Sequence, residues 1–153
     1  MGRDEHDEQV ERLEQEVRLL VRRSRRVLRT LATQLHPDVD AGNYAVLVAI
    51  ARSAPLRLVD LAEEFGLDKS TMSRQVSALL RIGLVRRSPD PQDGRAFLLE
   101  LTDDGRRRLD EVSRARHEDW RTRLGSWSTD DIATLADGLT RLAASLNPPG
   151  FDN

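Results

Sequence analysis

The chain has 153 residues, the length of one ordinary domain, with 39% hydrophobic and 33% charged residues; it is too apolar for a disordered chain and too charged for a membrane protein. No apolar run approaches the roughly 18 residues of a spanning helix and no secretory signal opens the chain, so a cytoplasmic location is expected. The formal net charge is only −2, and the lack of cysteine excludes disulfide scaffolds, thiolate metal sites and thiol redox sensing.

From about Asp7 to Leu35, apolar residues at Val10, Leu13, Val17, Leu20, Val27, Leu31 and Leu35 step by three and four, broken only by Ser24. That spacing predicts one long helix with a near-heptad seam. Such a helix is about 43 Å long at 1.5 Å per residue, so its seam is expected to meet another chain. Charge is segregated along it: residues 1–17 carry two arginines against seven acids, and residues 18–29 carry six arginines and no acid. The basic run reads first as a solvated face pairing with acids elsewhere, with DNA or a protein partner left open. His36-Pro37 ends the helix, because the residue before proline avoids helical geometry.

A second helix is predicted from about Asp40 to Arg52, with Tyr44, Leu47, Val48 and Ala51 on one face and Pro55 breaking the pattern. Two short helices follow, roughly 58–65 and 69–82, joined by Gly66-Leu67-Asp68. Leu58, Leu61, Ala62 and Phe65 form the first buried stripe, and Met72, Val76, Leu79 and Leu80 the second. Asp68 is placed to cap the second of them. Strands are predicted over 84–88 and 96–101, with Phe97, Leu99 and Leu101 on one face. Between them Pro89 to Arg95 reads as a turn-rich tip built on Asp93-Gly94. Thr102 should cap a long helix over about 103–126, and Ser128 with Asp131 a capping box for the last helix, which Asn147-Pro148-Pro149-Gly150 stops.

Helix, tight turn, helix and a two-stranded hairpin with a basic tip spell a winged helix-turn-helix. With Met72, Val76, Leu79 and Leu80 inward, Ser70, Arg74, Ser77 and Arg81 fall on the opposite face. Arg74 is the best candidate to fork onto a guanine edge in the major groove, and Arg95 to reach a narrow minor groove from the tip. Residues 69–95 hold six cations against Asp90 and Asp93, a local excess able to attract phosphates.

These strings resemble the MarR family of transcriptional regulators. The likeness is carried by Phe65-Gly66-Leu67-Asp68-Lys69-Ser70-Thr71-Met72-Ser73-Arg74, by Leu80-Arg81-Ile82-Gly83-Leu84-Val85-Arg86-Arg87, and most specifically by Asp93-Gly94-Arg95-Ala96 followed by Leu99-Glu100-Leu101-Thr102-Asp103-Asp104-Gly105. The resemblance implies a mainly α (α+β) fold, a winged helix-turn-helix flanked by long dimerisation helices. The organisation expected is a dimerisation helix over 1–36, a DNA-binding lobe over 37–101, further dimerisation helices over 102–147 and a tail over 148–153. It places Ser70, Thr71, Ser73 and Arg74 at the groove, lets Asp93 orient the wing and sends Arg95 into the minor groove. Lys69, Gln75 and Ser77 complete the expected DNA-binding set. Arg57 departs from the family, which has a threonine or serine capping this helix; here the arginine is a candidate phosphate contact.

The function implied is a homodimeric regulator, expected to repress, that binds double-stranded DNA at a pseudo-palindromic operator and is released by a small molecule. With no thiol to oxidise, a non-covalent ligand is the expected input, an aromatic acid being one candidate. The resemblance puts its pocket where the dimer helices meet the DNA-binding lobe, with His36, Tyr44, His117 and Trp120 available there.

Enzymatic readings fare poorly: the chain has no phosphate-cradling glycine loop, no His-Glu zinc motif and no Gly-x-Ser-x-Gly elbow. Asp103-Asp104 and Asp130-Asp131 begin helices, where they complement the dipole. His36-Pro37-Asp38-Val39-Asp40 could lend ligands to a metal, but reads more simply as a helix end followed by an Asp40 cap. No cofactor or metal is expected. The alternative is a winged-helix protein-interaction module without sequence-specific DNA binding.

Overall fold

Helix α1 (Gly2–Leu35) is longer than its apolar seam predicts, because Asp4 and Glu5 in its first turn favour an earlier start next to the helix dipole. This computed structural model describes residues 2–146 and, at positions 3 and 95, the backbone alone; the expected tail over 148–153 lies outside them. The remaining elements are α2 (Ala41–Ser53), β1 (Leu56–Arg57), α3 (Leu58–Glu64), α4 (Lys69–Arg81), β2 (Val85–Asp90), β3 (Asp93–Leu101), α5 (Asp103–Arg123) and α6 (Thr129–Ser145). The chain divides into two compact units between Ser113 and Arg114, within the continuous α5.

The core lies in the first unit. Leu31, Ala32 and Leu35 from the end of α1 meet Val46, Leu47 and Ile50 of α2, Leu61 of α3, and Met72, Val76 and Leu79 of α4. The predicted stripe on α2 is wrong in detail. Val48 is 37% exposed and Ala51 half-buried, whereas Asn43, Val46, Ala49 and Ile50 join Tyr44 and Leu47 inside. The reason is that α2 packs on α1 and also on α4 and β3, so no single stripe describes its burial.

The sheet has order β1-β3-β2, all antiparallel. β1 is two residues long and escapes sequence periodicity; Leu56 pairs with Leu99, and Arg57 with Leu98. The hairpin is longer than predicted. Its turn is Pro91-Gln92, and Asp93, Gly94 and Arg95 belong to β3 rather than to a loop. Proline presets the turn's φ, and the Asp90 carboxylate accepts the Gln92 N–H at 2.8 Å. Phe97 shares the face of buried Leu99 and Leu101, but it stands beyond the cover of the helices and is 54% exposed.

Thr102 anchors α5 as predicted: its hydroxyl donates to the Gly83 carbonyl at 2.7 Å and accepts the Gly105 N–H at 3.0 Å. In the second unit, α6 begins at the predicted box, where the Ser128 hydroxyl accepts the Asp131 N–H at 3.1 Å. No residue of α6 is buried, and Ile132, Leu135 and Leu139 stand exposed. Among the described residues no helix is long and apolar enough to cross a membrane.

Candidate nucleic-acid interface

The helix-turn-helix is α3 and α4. The chain leaves α3 through Gly66 at φ +60°, a left-handed turn that glycine adopts without steric cost. On the far side Asp68 caps α4: its carboxylate accepts the Thr71 N–H at 2.9 Å and the Thr71 hydroxyl at 2.7 Å, together with the Ser70 hydroxyl. The Ser70 hydroxyl and then the Thr71 hydroxyl and amide hold the Asp68 carboxyl far below the usual carboxylate range. The two hydroxyl protons are thus committed to the cap, leaving oxygen lone pairs at the start of α4.

The outward face of α4 matches the periodicity. Ser70, Arg74, Ser77 and Arg81 are all exposed, as is Lys69, while Thr71 and Ser73 are half-buried at the edge. Arg74 lies 3.3 Å from the Thr71 hydroxyl, its Nη2 donating, so the helix's central cation is steered by the cap network. Gln75 is placed differently. Its Nε2 lies 3.1 Å from where a Cβ on Gly42 would stand, and its Oε1 is buried, so this side chain is turned toward α2.

Arg57 begins α3 without a side-chain acceptor, so only half of a capping box forms: the Asp60 carboxylate accepts the Arg57 N–H at 3.0 Å. The guanidinium is engaged elsewhere. Its Nε donates to Asp90 Oδ2 at 2.8 Å, and Nη2 lies 2.5 Å from the same oxygen. The Asp90 side chain is only 5% exposed, that of Arg57 40%. The Gln92 amide first, and then Arg57, holds the Asp90 carboxyl below its ordinary value. Further down the hairpin Arg86 pairs with Glu100 at 3.0 Å, and Arg87 is exposed. Asp93 is exposed near the turn, and Arg95 is described by its backbone in β3.

Sequence reasoning missed a cleft of about 410 Å³ between the start of α3, the outer edge of α4 and the hairpin. Arg57, Lys69 and Arg87 outnumber the one carboxylate of its lining, Asp93, and Val59 and Phe97 give it apolar wall. The signal in the sequence was Phe97 itself, an aromatic on the strand's inward face that lies past the end of the core. The residues expected at an effector pocket are distributed over both units. Tyr44 is fully buried with its hydroxyl unpartnered, and the Nδ1 of half-buried His36 accepts the Asp38 N–H at 3.1 Å. His117 and Trp120 are exposed on α5. Among the described residues no group of three His, Cys, Asp or Glu is disposed to hold a metal ion.

A profile of the MarR family matches residues 40–97, from the cap of α2 to the middle of β3. The HTH-type transcriptional regulator YxaD of Bacillus subtilis is 32% identical over 133 residues, 87% of this chain and 92% of that one. The multiple antibiotic resistance protein MarR of Salmonella typhimurium is 29% identical over 70% of this chain and 76% of its own. Among solved structures, the PcaV transcriptional regulator of Streptomyces coelicolor, crystallised in complex with its natural ligand, is 32% identical with a TM-score of 0.61, over 84% of this chain and 92% of that one. A MarR family protein from Bacillus stearothermophilus shares the fold at a TM-score of 0.80, with 24% identity over 92% of this chain and 96% of that one. The chain belongs to the MarR family of DNA-binding transcriptional regulators.

Proposed function

We propose that this chain is a homodimeric repressor of a pseudo-palindromic operator, with α4 in the major groove and the β2–β3 hairpin over the adjacent minor groove. The observation that carries the reading is the α4 face: Ser70, Arg74, Ser77 and Arg81 are all exposed, and the basic hairpin flanks them. On this reading Lys69 and Ser73 meet phosphates, Ser70 and Thr71 lie at the groove with their hydroxyl protons held by Asp68, Arg74 reads a base edge and Arg95 enters the minor groove. Exposed apolar faces on α1 and α6 support a dimer as the assembly. Footprinting on the chain's own upstream region tests it. Two protected half-sites should appear with centres about 10 base pairs apart. Binding that is asymmetric, or insensitive to salt, would favour the protein-interaction module instead.

Release by a small molecule is part of the proposal, and PcaV, crystallised with its ligand, supports it by likeness. His36, Tyr44, His117 and Trp120 remain the first assignment for that ligand. The cationic cleft beside α4 favours a second, since an aromatic acid seated against Phe97 and Arg87 would occupy the surface that DNA needs. Titrating salicylate-like acids into an operator complex separates the two. Loss of response in Trp120→Phe supports the first, and loss in Arg87→Ala the second.

A further inference from the structure

The start of α4 has a hydrogen-bond polarity that a plain polar helix face lacks. Asp68 accepts three protons: Oδ1 takes the Ser70 hydroxyl and the Thr71 N–H at 2.9 Å, and Oδ2 takes the Thr71 hydroxyl at 2.7 Å. A carboxylate offers only acceptor sites, so in both hydroxyl bonds the serine or threonine is the donor. The same bonds keep that carboxyl ionised. A hydroxyl has one proton, and once it is given to Asp68 the oxygen can only accept.

The two oxygens differ in what is left to them. Thr71 is half-buried, and its oxygen already accepts from Arg74 Nη2 at 3.3 Å. Ser70 is exposed on the face it shares with Arg74, Ser77 and Arg81, and among the described residues nothing donates to its oxygen. Polarised by the charge behind it, that oxygen is a stronger acceptor than a free hydroxyl. Ser77 makes the contrast. It is exposed on the same face, and its hydroxyl has no partner among the described residues, so its proton remains free to give. Arg74, between the two serines, can only donate.

Duplex DNA offers such an acceptor few partners. Phosphate oxygens have no proton to give at neutral pH, and a phosphate at Ser70 would also face the Asp68 charge. In the major groove guanine presents N7 and O6 and thymine O4, all acceptors, whereas adenine N6 and cytosine N4 carry protons. We infer that Ser70 is a specificity-determining residue: its hydroxyl accepts from an exocyclic amine, selecting adenine or cytosine over guanine and thymine at one position of each half-site, and does not contact phosphate. The inference rests on the reading of α4 as the major-groove helix and gives that helix a polarity, with Ser70 accepting and Arg74 donating.

The test uses operators that the full chain selects from a random duplex library. Each adenine in turn is replaced by the unsubstituted purine base and each cytosine by 2-pyrimidinone, which lack the amine and keep the ring. At one position per half-site the parent should lose about fivefold in affinity, the scale of one hydrogen bond, and Ser70→Ala should show no loss there. Ser70→Thr, which keeps the hydroxyl and its acceptor, should retain the loss. Asp68→Gly removes that acceptor at little cost to the cap, and should bind operators with guanine or thymine at the position within about twofold of the selected ones. If no position combines an amine-dependent parent with an indifferent Ser70→Ala, or if Asp68→Gly discriminates as the parent does, the assignment is overturned while DNA binding by α4 stands. Equal weakening of Ser70→Ala on all sequences, with a shallower salt dependence, marks a phosphate contact and overturns it too. Recovery of no operator at all overturns the operator reading itself.

Discussion

The guanidinium of Arg57 ties the first residue of the helix-turn-helix to the last residue of β2, through Nε donating 2.8 Å to the carboxylate of Asp90. The carboxylate it meets is nearly enclosed and also accepts the Gln92 amide of the turn. One acid therefore sets the turn and moors the hairpin to α3. Asp90→Asn keeps an oxygen for Gln92 and loses the charge that holds Arg57, so it should weaken operator binding about tenfold, the scale of one hydrogen bond to a charged group. Arg57→Ala should weaken it at least as much. If Arg57 also meets a phosphate, Arg57→Ala lowers the salt dependence of binding by about one unit and Asp90→Asn does not. Gel-shift titrations across salt concentrations give both quantities.

Arg74→Ala should cost about 1–3 kcal/mol of operator binding and relax the preference at one base pair in each half-site. Arg95→Ala should weaken binding chiefly to operators with narrow A·T flanks. Competition against operator libraries measures both, and parental affinity in either variant would remove that residue from the interface.

Gly105 marks a close approach between α5 and the segment that enters the hairpin. A Cβ there would stand 2.1 Å from the Leu84 carbonyl oxygen, a backbone atom that cannot swing aside. Gly105→Ala should therefore destabilise the fold by about 2–4 kcal/mol, at the upper end of overpacking costs. Urea unfolding followed by circular dichroism checks it.

Among the described residues three carboxylates titrate below their ordinary value of 3.8: Asp68 through the Ser70 and Thr71 hydroxyls, Asp90 through the Gln92 amide and then Arg57, and Asp104 through Arg108 and then Arg107. A carboxyl depressed in the folded state adds stability that is complete above its unfolded value and is lost as pH falls through the folded one. The melting temperature should not vary through these groups between about pH 8 and pH 5, where their contribution is complete, and should fall with them below about pH 4. Asp68→Asn should lower the plateau and shallow the acid decline; an unchanged slope would mean that the cap carries no net stabilisation.

Local signals in the sequence determined most of the helical architecture. Asp68, Thr102 and Ser128 cap where their side-chain chemistry requires, and Met72, Val76 and Leu79 face inward because helical periodicity fixes which side chains share a face. Ser70, Arg74, Ser77 and Arg81 follow on the opposite side by the same geometry. Only the tertiary structure decided the rest. Which sides of α2 are buried depends on neighbours remote in sequence. β1 is too short to show a period and exists because Leu99 is there to pair with it. Phe97 alternates correctly and still stands exposed, since alternation gives direction and says nothing of how far the covering layer reaches. The ion pair of Arg57 with Asp90 spans 33 residues, and no local pattern contains it: it forms because the sheet folds the wing back onto the start of α3.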